Sequence, residues 1–401
     1  MNSDSTPLTK IPVSTYILVT ILIITSGSPI IDWRAQYVIL AILLYPRTHL
    51  SRKDKYFLYF MGLSLFLFVA QYITFGWNSV PAIINLCAKI FIACAVVKIT
   101  GIKFRDAYLN VMTFLCAVCI VLFTVYAITG FALDFFPSSL YKSCILWGAI
   151  RNPKGDGLRN DGFVWEPGAF AGYILSVLIL YFDKLDELKK FHLKKIWILL
   201  IALITTFSTQ GYIVLSFLII CYFFRFIKNK RTLILIIPIL AIVFSFMLTL
   251  DFMGAKVSEQ VEDTETMDVF DQKIDHGRFS SMIFDLYYIG KHPIIGNGLH
   301  RNTRYSDHLY LSDEGLSGFG NGFTGMIGSM GIFFMLYYLG MFFRSKLSNK
   351  DAFVIVLSIV LLLNGEGYLN YPLFYCIPFF FIYNYPKKTY KNIIKDEKDA
   401  C

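Results

Sequence analysis

Residues 107–130, AYLNVMTFLCAVCIVLFTVYAITG, are the stretch that decides the fold class of this chain. The stretch contains no Asp, Glu, Lys or Arg, and it is longer than the roughly 20 residues that a helix needs to cross a bilayer. Because hydrocarbon offers no partners to backbone N–H and C=O groups, an apolar run of this length is stable there only as a helix. It therefore predicts a transmembrane helix.

The composition of the whole chain agrees with this prediction. Of 401 residues, 56% are hydrophobic and 16% are charged, whereas a typical soluble domain carries about 25% charged residues. The formal net charge of +9 would indicate nucleic-acid binding in a soluble protein. Here the basic residues lie mostly in short connectors, as membrane orientation requires. We therefore expect the chain to lie in a lipid bilayer and to bind no nucleic acid.

Apolar runs of spanning or near-spanning length recur along the chain. They lie at residues 12–31, 33–46, 56–75, 80–98, 107–130, 166–182, 194–208, 210–227, 232–250, 319–343, 351–365 and 370–385. As helices they predict an all-α, polytopic membrane bundle of about twelve transmembrane helices. Residues 1–401 are expected to form a single integral membrane domain. The first run lacks a small-residue cleavage site, so we expect it to be retained.

Lys and Arg are concentrated in connectors that would all lie on one side of the membrane. These connectors are residues 46–55, 98–105, 183–195, 228–231 and 344–350, together with the tail from residue 386. An excess of basic residues marks the cytoplasmic side. We therefore expect an inner-membrane protein whose N- and C-termini are both cytoplasmic.

Two connectors on the opposite, periplasmic side are long. Residues 131–165 form the first periplasmic loop and residues 251–318 form a larger one. Long loops in a compact protein commonly carry function. Within the larger loop, residues 278–289 (RFSSMIFDLYYI) have the spacing of an amphipathic helix, predicted to lie on the membrane surface or to cap the bundle. We expect the functional site between these loops and the outer helix ends.

The first loop leads into Glu166-Pro167-Gly168 at the start of a predicted helix. Pro fits the first helical turn and a carboxylate favours the positive end of the helix dipole, so a structural role accounts for Glu166. The alternative is that this helix start, beside Arg151 and Arg159, forms an anion-binding mouth. For either arginine alone, an ordinary solvated loop charge is the competing interpretation.

The second loop and two polar breaks supply the remaining candidate residues. The breaks are residues 208–212 (STQGY) and 364–370 (NGEGYLN), the second of which contains Glu366. Polar, Gly-containing breaks at membrane depth are tolerated where they line a cavity. The loop carries Arg278, Arg301, Arg304, His276, His292, His300 and His308. The histidine spacing matches no zinc signature, so we expect no metal site, while one histidine could carry a proton near neutral pH.

Three of these features, in this order, resemble the O-antigen polymerase and O-antigen ligase superfamily. They are Arg159-x-x-Gly-Phe-x-x-Glu166-Pro-Gly opening a helix, the STQGY break, and Arg278 followed by His-Pro-Ile-Ile-Gly-Asn-Gly in the largest outer loop. The resemblance covers roughly residues 150–340 and the overall topology. Ligases usually show a His-Asn pair entering the helix after the large loop. This chain has Gly320-Asn321-Gly322 there, which favours a polymerase.

The resemblance implies a metal-independent glycosyltransferase that needs no cofactor and acts at the periplasmic face. A growing chain on undecaprenyl pyrophosphate would be transferred to the sugar of a fresh lipid-linked repeat unit, which builds O-antigen or a related surface polysaccharide. Planar guanidinium groups suit the charge that develops on the pyrophosphate. Arg159 and Arg278 are the first candidates for that contact, and Arg151, Arg301 and Arg304 are the next.

A sugar hydroxyl that attacks the donor needs a general base. Glu166 and His308 are the first candidates for this catalytic role, followed by His300 and Glu366. Beyond the donor and acceptor lipid-linked oligosaccharides, the resemblance implies a chain-length regulator and a flippase as partners.

Two other functions are compatible with the same features. An O-antigen ligase would share the chemistry but deliver the chain to the lipid A core. A lipid-linked oligosaccharide flippase or other transporter would have no covalent step. Transporters tend to place ionisable residues at mid-bilayer and to show repeated halves with broken helices. Here the polar residues are concentrated in one asymmetric loop, which favours an enzyme.

The topology predicts the activity of reporter fusions. Alkaline phosphatase fused after Ser280 should be active, because the 251–318 loop is expected in the periplasm. The same reporter fused after Lys230 should be inactive, because residues 228–231 are expected in the cytoplasm. Colony assays at matched fusion levels measure both, and a reversed pair would contradict the topology and the location of the site.

Overall fold

The computed structural model describes residues 11–28, 35–50, 54–131, 141–144, 146–150, 158–226, 278–307 and 321–385. Its helices are α1 (Val13–Gly27), α2 (Gln36–Leu44), α3 (Lys55–Phe75), α4 (Val80–Thr100), α5 (Lys103–Thr129), α6 (Pro167–Leu180), α7 (Leu185–Thr205), α8 (Thr209–Phe226), α9 (Arg278–Lys291), α10 (Arg301–Arg304), α11 (Gly322–Met330), α12 (Ile332–Gly340), α13 (Asn349–Leu363) and α14 (Pro372–Asn384). Short 3-10 turns lie at Tyr45–Arg47, Phe182–Lys184, Met341–Arg344 and Tyr368–Asn370. The predicted all-α fold class is confirmed for the described residues.

A small hairpin lies within the first long loop. Strands β1 (Tyr141–Cys144) and β2 (Trp147–Ile150) pair antiparallel, with Tyr141 opposite Ile150. Trp147 is 1% exposed, and its indole Nε1 donates to Oδ1 of Asn160 at 3.2 Å. This part of the loop therefore packs onto the bundle.

Among the described helices, α3, α4 and α5 are long and apolar enough to cross a membrane, and the total rises to five if each of two bent helix pairs counts as one span. Each predicted apolar run contains a helix, except residues 232–250, which lie outside the described residues. These helices support the prediction of a membrane protein. The count of about twelve spans stays a prediction.

α6 lies at the centre of the described bundle and packs against α5, α7, α8 and α13. Every residue of α6 except Leu178 is buried, as expected for a helix that is apolar all round. A Cβ atom on Gly172 would lie 2.0 Å from the hydroxyl oxygen of Tyr368. Glycine there lets Tyr368 approach and donate to the carbonyl of Gly168 at 2.9 Å.

α4 forms a second buried layer against α14 and α2. Its residues Ile90 and Val97 are fully buried. Lys89 lies in the same helix, with its ammonium nitrogen 5.1 Å from the centroid of the Tyr37 ring. This cation–π contact offsets part of the cost of placing a charge in an apolar helix.

The connector predicted at residues 183–195 is mostly helical, and the helix that contains it is kinked at His192, whose backbone φ is −130°. α7 begins at Leu185 and is bent by 54° from α6. Asp186 and Glu187 in the first turn favour helix initiation there. Arg105 anchors the bend, because its guanidinium lies 4.5 Å from the ring centroid of Tyr181 and 3.7 Å from the Asp183 carboxylate.

The continuous helix predicted at residues 319–343 is broken at Gly331, where the chain bends by 120° between α11 and the segment Ile332–Arg344 that begins with α12. Gly331 has φ of +81°, and the amide of Ile332 donates to the carbonyl of Pro293 at 2.9 Å. The apolar pattern concealed the break because both helices are apolar. Its cause is the turn at residues 292–298, which inserts between them.

This turn and a buried amide satisfy the carbonyls at the end of α11. The amides of Asn297 and Gly298 donate to the carbonyls of Gly328 and Ser329 at 2.8 and 3.0 Å. Nε2 of Gln71, which is fully buried in α3, donates to Ser329 at 2.8 Å. These carbonyls at the break are therefore hydrogen-bonded within the protein, as apolar surroundings require.

Gly331→Ala should destabilise the protein strongly. The added Cβ would lie 1.9 Å from the carbonyl oxygen of Ile294, and the left-handed conformation alone costs on the order of 1–3 kcal/mol for a non-glycine residue. The melting temperature in detergent and the yield of monodisperse protein should both fall.

The matched control is Gly62→Ala, in the exposed middle of α3, where a Cβ meets nothing within 4 Å. Ala is the better helix former by about 1 kcal/mol, so this variant should be at least as stable as the parent. Equal behaviour of the two variants would contradict the structure of the break.

Candidate functional site

The start of α6 and the break at residues 364–370 meet around Trp165. The Trp165 ring stacks on Tyr371 with centroids 4.6 Å apart and planes at 25°. Its indole Nε1 donates to Oε2 of Glu366 at 3.4 Å. Glu166 follows Trp165 directly and precedes Pro167, the first residue of α6. Two candidate carboxylates that are 200 positions apart in the chain are thus brought to the same end of the bundle.

The start of α11 joins the same region through close backbone contact. A Cβ on Gly322 would lie 2.1 Å from the carbonyl oxygen of Glu366. Asn321 accepts from the amides of Phe323 and Thr324 at 3.1 and 3.0 Å, and its Nδ2 donates to Oδ1 of Asn364 at 3.3 Å. Asn321 therefore caps α11 and ties it to the break.

The STQGY break also lies against residues 364–370. Nε2 of Gln210 donates to the carbonyls of Leu361 and Leu362 at 2.5 and 2.6 Å. A Cβ on Gly365 would lie 1.1 Å from Oε1 of Gln210, so a larger residue there would displace the Gln210 side chain. Both polar breaks therefore belong to one cluster, and the amide of Gln210 pairs carbonyls at the end of α13.

Arg159 binds the end of α7. Its Nε donates to the carbonyl of Thr206 at 3.1 Å and its Nη2 to the carbonyl of Phe207 at 3.0 Å. The neighbouring Asn160 donates to the Thr205 hydroxyl at 2.9 Å. Carbonyls at a helix C-terminus lack intrahelical partners, and a guanidinium satisfies them well. Arg159 thus has a structural contact beside the STQGY break.

Arg304 is held by a buried carboxylate. Its Nη2 lies 2.8 Å from Oδ1 of Asp285, and the side chains are 17% and 1% exposed. The hydroxyl of Thr324 donates to the other oxygen of Asp285 at 2.8 Å. Burial raises the pKa of the Asp285 carboxyl above its ordinary value, and the Arg304 guanidinium opposes that shift. This network ties α9 and α10 to α11, which favours a structural role for Arg304.

Asp285 was missed in the sequence, although a signal for it was present. It shares the buried face of α9 with Ser281, Phe284 and Tyr288, at helical spacing. A carboxylate on the apolar face of an amphipathic helix needs a buried partner. The predicted helix at residues 278–289 is confirmed, and it packs against α11.

His300 lies at the connection between α3 and α4. Its ring meets Trp77 edge to face with centroids 4.5 Å apart, and its Nδ1 accepts from the amide of Asn302 at 3.2 Å. These contacts place it at the start of α10, against a different part of the bundle from Trp165.

The other candidate residues are described only in part or not at all. Arg278 and Arg301 are the first residues of α9 and α10, and their side chains lie outside the description. Arg151 and His308 lie outside the described residues. Among those that are described, no group of three or more His, Cys, Asp or Glu side chains is arranged to hold a metal ion.

A family model described as O-antigen ligase matches residues 196–339. The match includes the STQGY break, α9, the turn at residues 292–298 and the start of α11. It supports the O-antigen polymerase and ligase superfamily, and with it a membrane enzyme of the glycosyltransferase kind that acts on lipid-linked glycans. It does not separate polymerases from ligases. No curated protein matches the chain.

Asp285→Ala should destabilise the protein by about 3 kcal/mol, because it leaves the Arg304 guanidinium buried without its carboxylate. The double variant Asp285→Leu/Arg304→Met should be less destabilised than the single one, since it removes both charges. Thermal unfolding in detergent measures both.

The matched control is Asp307→Ala in the same loop. Asp307 pairs with Lys291, but the two side chains are 33% and 34% exposed, and exposed pairs contribute at most about 1 kcal/mol. A larger loss of stability for Asp307→Ala than for Asp285→Ala would contradict the assignment of Asp285 as the anchor.

Proposed function

We propose that this protein polymerises undecaprenyl-pyrophosphate-linked oligosaccharide repeat units into O-antigen or a related surface polysaccharide, at the periplasmic face of the inner membrane. The observation that carries the proposal is the meeting of Trp165, Glu366 and the start of α6 at one end of an apolar bundle. The family match supports the general class of enzyme.

The reaction needs one proton acceptor and no redox partner. The acceptor hydroxyl attacks the anomeric carbon of the donor, a new C–O bond forms, and the glycosyl–phosphate bond breaks. The lipid pyrophosphate leaves with the bonding electrons, and the hydroxyl proton passes to a base. Glu366 is 4% exposed, and Glu166, which follows Trp165 in the chain, is half-buried. Both are carboxylates suited to take that proton.

The stacked pair of Trp165 and Tyr371 supports a glycan ligand. Both rings are only half-buried, and aromatic faces in clefts commonly bind the apolar faces of ligands. Because Trp165 also donates to Glu366, a sugar resting on these rings would lie next to the proposed base. Sugar positioning and proton transfer are thereby assigned to adjacent side chains.

Arg159 and Arg278 remain the proposed pyrophosphate ligands, with Arg151 and Arg301 as secondary ones. A diphosphate has enough oxygens for two guanidinium groups. The contacts of Arg159 to the carbonyls of Thr206 and Phe207 give it a structural role as well. Protein level and glycan length, measured together in a variant, separate this role from substrate binding.

Ligase activity is the second candidate, because the matching family model is described as O-antigen ligase. The residues that enter the helix after the large loop favour the polymerase. Ligases usually have a His-Asn pair there, whereas this chain has Gly320-Asn321-Gly322, and Asn321 caps α11. The surface glycan of a deletion strain separates the functions. A core bearing one repeat unit means polymerase, a bare core means ligase, and loss of outer-leaflet intermediates means flippase.

Glu366→Gln should abolish chain extension at normal protein levels if Glu366 is the base. Gln keeps the size of the side chain and an oxygen that can accept from Trp165, but it cannot take a proton. A general base is typically worth on the order of 10²–10⁴ in rate. Purified protein with lipid-linked repeat units, assayed in EDTA, measures the rate.

Glu166→Gln tests the alternative base in the same assay, and Glu187→Gln is the control. Glu187 is 56% exposed in its pair with Lys184, so its variant should keep full activity. Full-length glycan from both Glu366→Gln and Glu166→Gln would show that neither carboxylate is the base. Activity that depends on an added divalent ion would contradict the metal-independent mechanism.

Arg159→Lys and Arg278→Lys should leave mostly single-repeat surface glycan while the protein level stays normal. Lys keeps the charge but loses the planar pair of donors, and loss of a transition-state donor costs on the order of 10²–10³ in rate. Arg47→Lys, at an exposed turn after α2, is the control. A fall in protein level instead of chain length would assign the arginine to stability alone.

A further inference from the structure

A cavity of about 360 Å³ opens between the start of α3 and the end of α12. Its walls include Lys55, Tyr56, Tyr59, Leu336, Tyr337 and Arg344. The other end of α3 carries Phe75, whose ring lies 5.0 Å from that of His292 in the turn at residues 292–298. Because α3 has 21 residues, the cavity lies roughly 30 Å away along the helix, at the opposite end of the bundle.

The charge of this cavity is positive. Lys55 and Arg344 both line it, and none of the lining residues in the described part of the chain is acidic. Asp54 is adjacent in sequence, but it is 3% exposed and paired with Lys98 at 2.7 Å. The start of α3 adds the positive end of a helix dipole. The cavity therefore favours an anion.

The cavity walls also face the apolar surroundings of the bundle. Tyr59 is 61% exposed and Leu336 is 55% exposed. Tyrosines with Lys and Arg are typical of the level where lipid headgroups begin. An occupant with a negative head and an apolar body fits both properties, whereas a soluble anion would use only the two cations.

We propose that this cavity binds one anionic glycerophospholipid of the leaflet opposite the candidate site. Lys55 and Arg344 hold the headgroup phosphate, and Tyr59 and Leu336 contact the first carbons of the acyl chains. The hydroxyl of Tyr337 donates to the carbonyl of Tyr56 at 2.8 Å, so α3 and α12 already touch at this point. The bound lipid joins the same two helices. This inference does not depend on the proposed enzymatic function.

Native mass spectrometry of delipidated full-length protein tests the proposal. Phosphatidylglycerol and phosphatidylcholine with identical acyl chains are added at equal concentrations. One cation near a membrane surface contributes about 1 kcal/mol to binding an anionic lipid, so two predict a preference of roughly tenfold or more for phosphatidylglycerol.

Lys55→Ala/Arg344→Ala should reduce phosphatidylglycerol binding to the level of phosphatidylcholine, while Lys55→Arg/Arg344→Lys should retain the preference. Lys189→Ala/Lys190→Ala removes the same charge from exposed positions in α7 and should bind like the parent. Size-exclusion profiles check that each variant is folded.

Three results would overturn the proposal. One is an unchanged preference in Lys55→Ala/Arg344→Ala, and another is an equal loss in Lys189→Ala/Lys190→Ala, which would indicate general attraction to surface charge. The third is displacement of the lipid by inorganic phosphate at comparable concentration, which would indicate a site for a soluble anion.

Discussion

Every interruption of a helix in an apolar bundle leaves backbone N–H and C=O groups that hydrocarbon cannot satisfy. This constraint accounts for several of the buried polar contacts in the bundle. Gln71 pairs the carbonyl of Ser329 at the end of α11, and Gln210 pairs those of Leu361 and Leu362 in α13. Arg159 pairs the carbonyls that follow α7. Each break in the helices is therefore a defined structure.

The same constraint brings the polar motifs together. A side chain that pairs the carbonyls of another element must lie beside that element, so Asn321 holds the start of α11 against residues 364–370. Gly322 and Gly365 allow the approach because a Cβ at either position would overlap its neighbour. Trp165, Glu166 and Glu366 then lie at one end of the bundle. The proposed reaction therefore takes place where hydrogen bonds between separate elements bring the polar groups together.

Several features could be predicted from the sequence because they depend on local pattern. The apolar runs predict helices, the spacing of residues 278–289 predicts the amphipathic helix α9, and Glu166-Pro167 predicts the start of α6; wherever the structure describes these residues, the helices are present. Other features could not be predicted in this way. The helical start of α7 is polar, so it resembled a connector, and the 120° break at Gly331 lies between two equally apolar segments. The roles of Asp285 and Gln71 depend on Arg304 and the Ser329 carbonyl, which lie far from them in the sequence.

The sequence by itself determined the membrane class and the candidate motifs, because hydrophobicity and helix initiation are properties of neighbouring residues. The tertiary structure alone decided which polar side chains are used to hold the fold and which lie at the candidate site. Arg304 and Arg159 look alike in the sequence, yet one is paired with the buried carboxylate of Asp285 and the other with the backbone carbonyls of Thr206 and Phe207 after α7. The physical reason is that the energy of a buried polar group depends on its partner, and partners from distant segments meet only when the chain has folded.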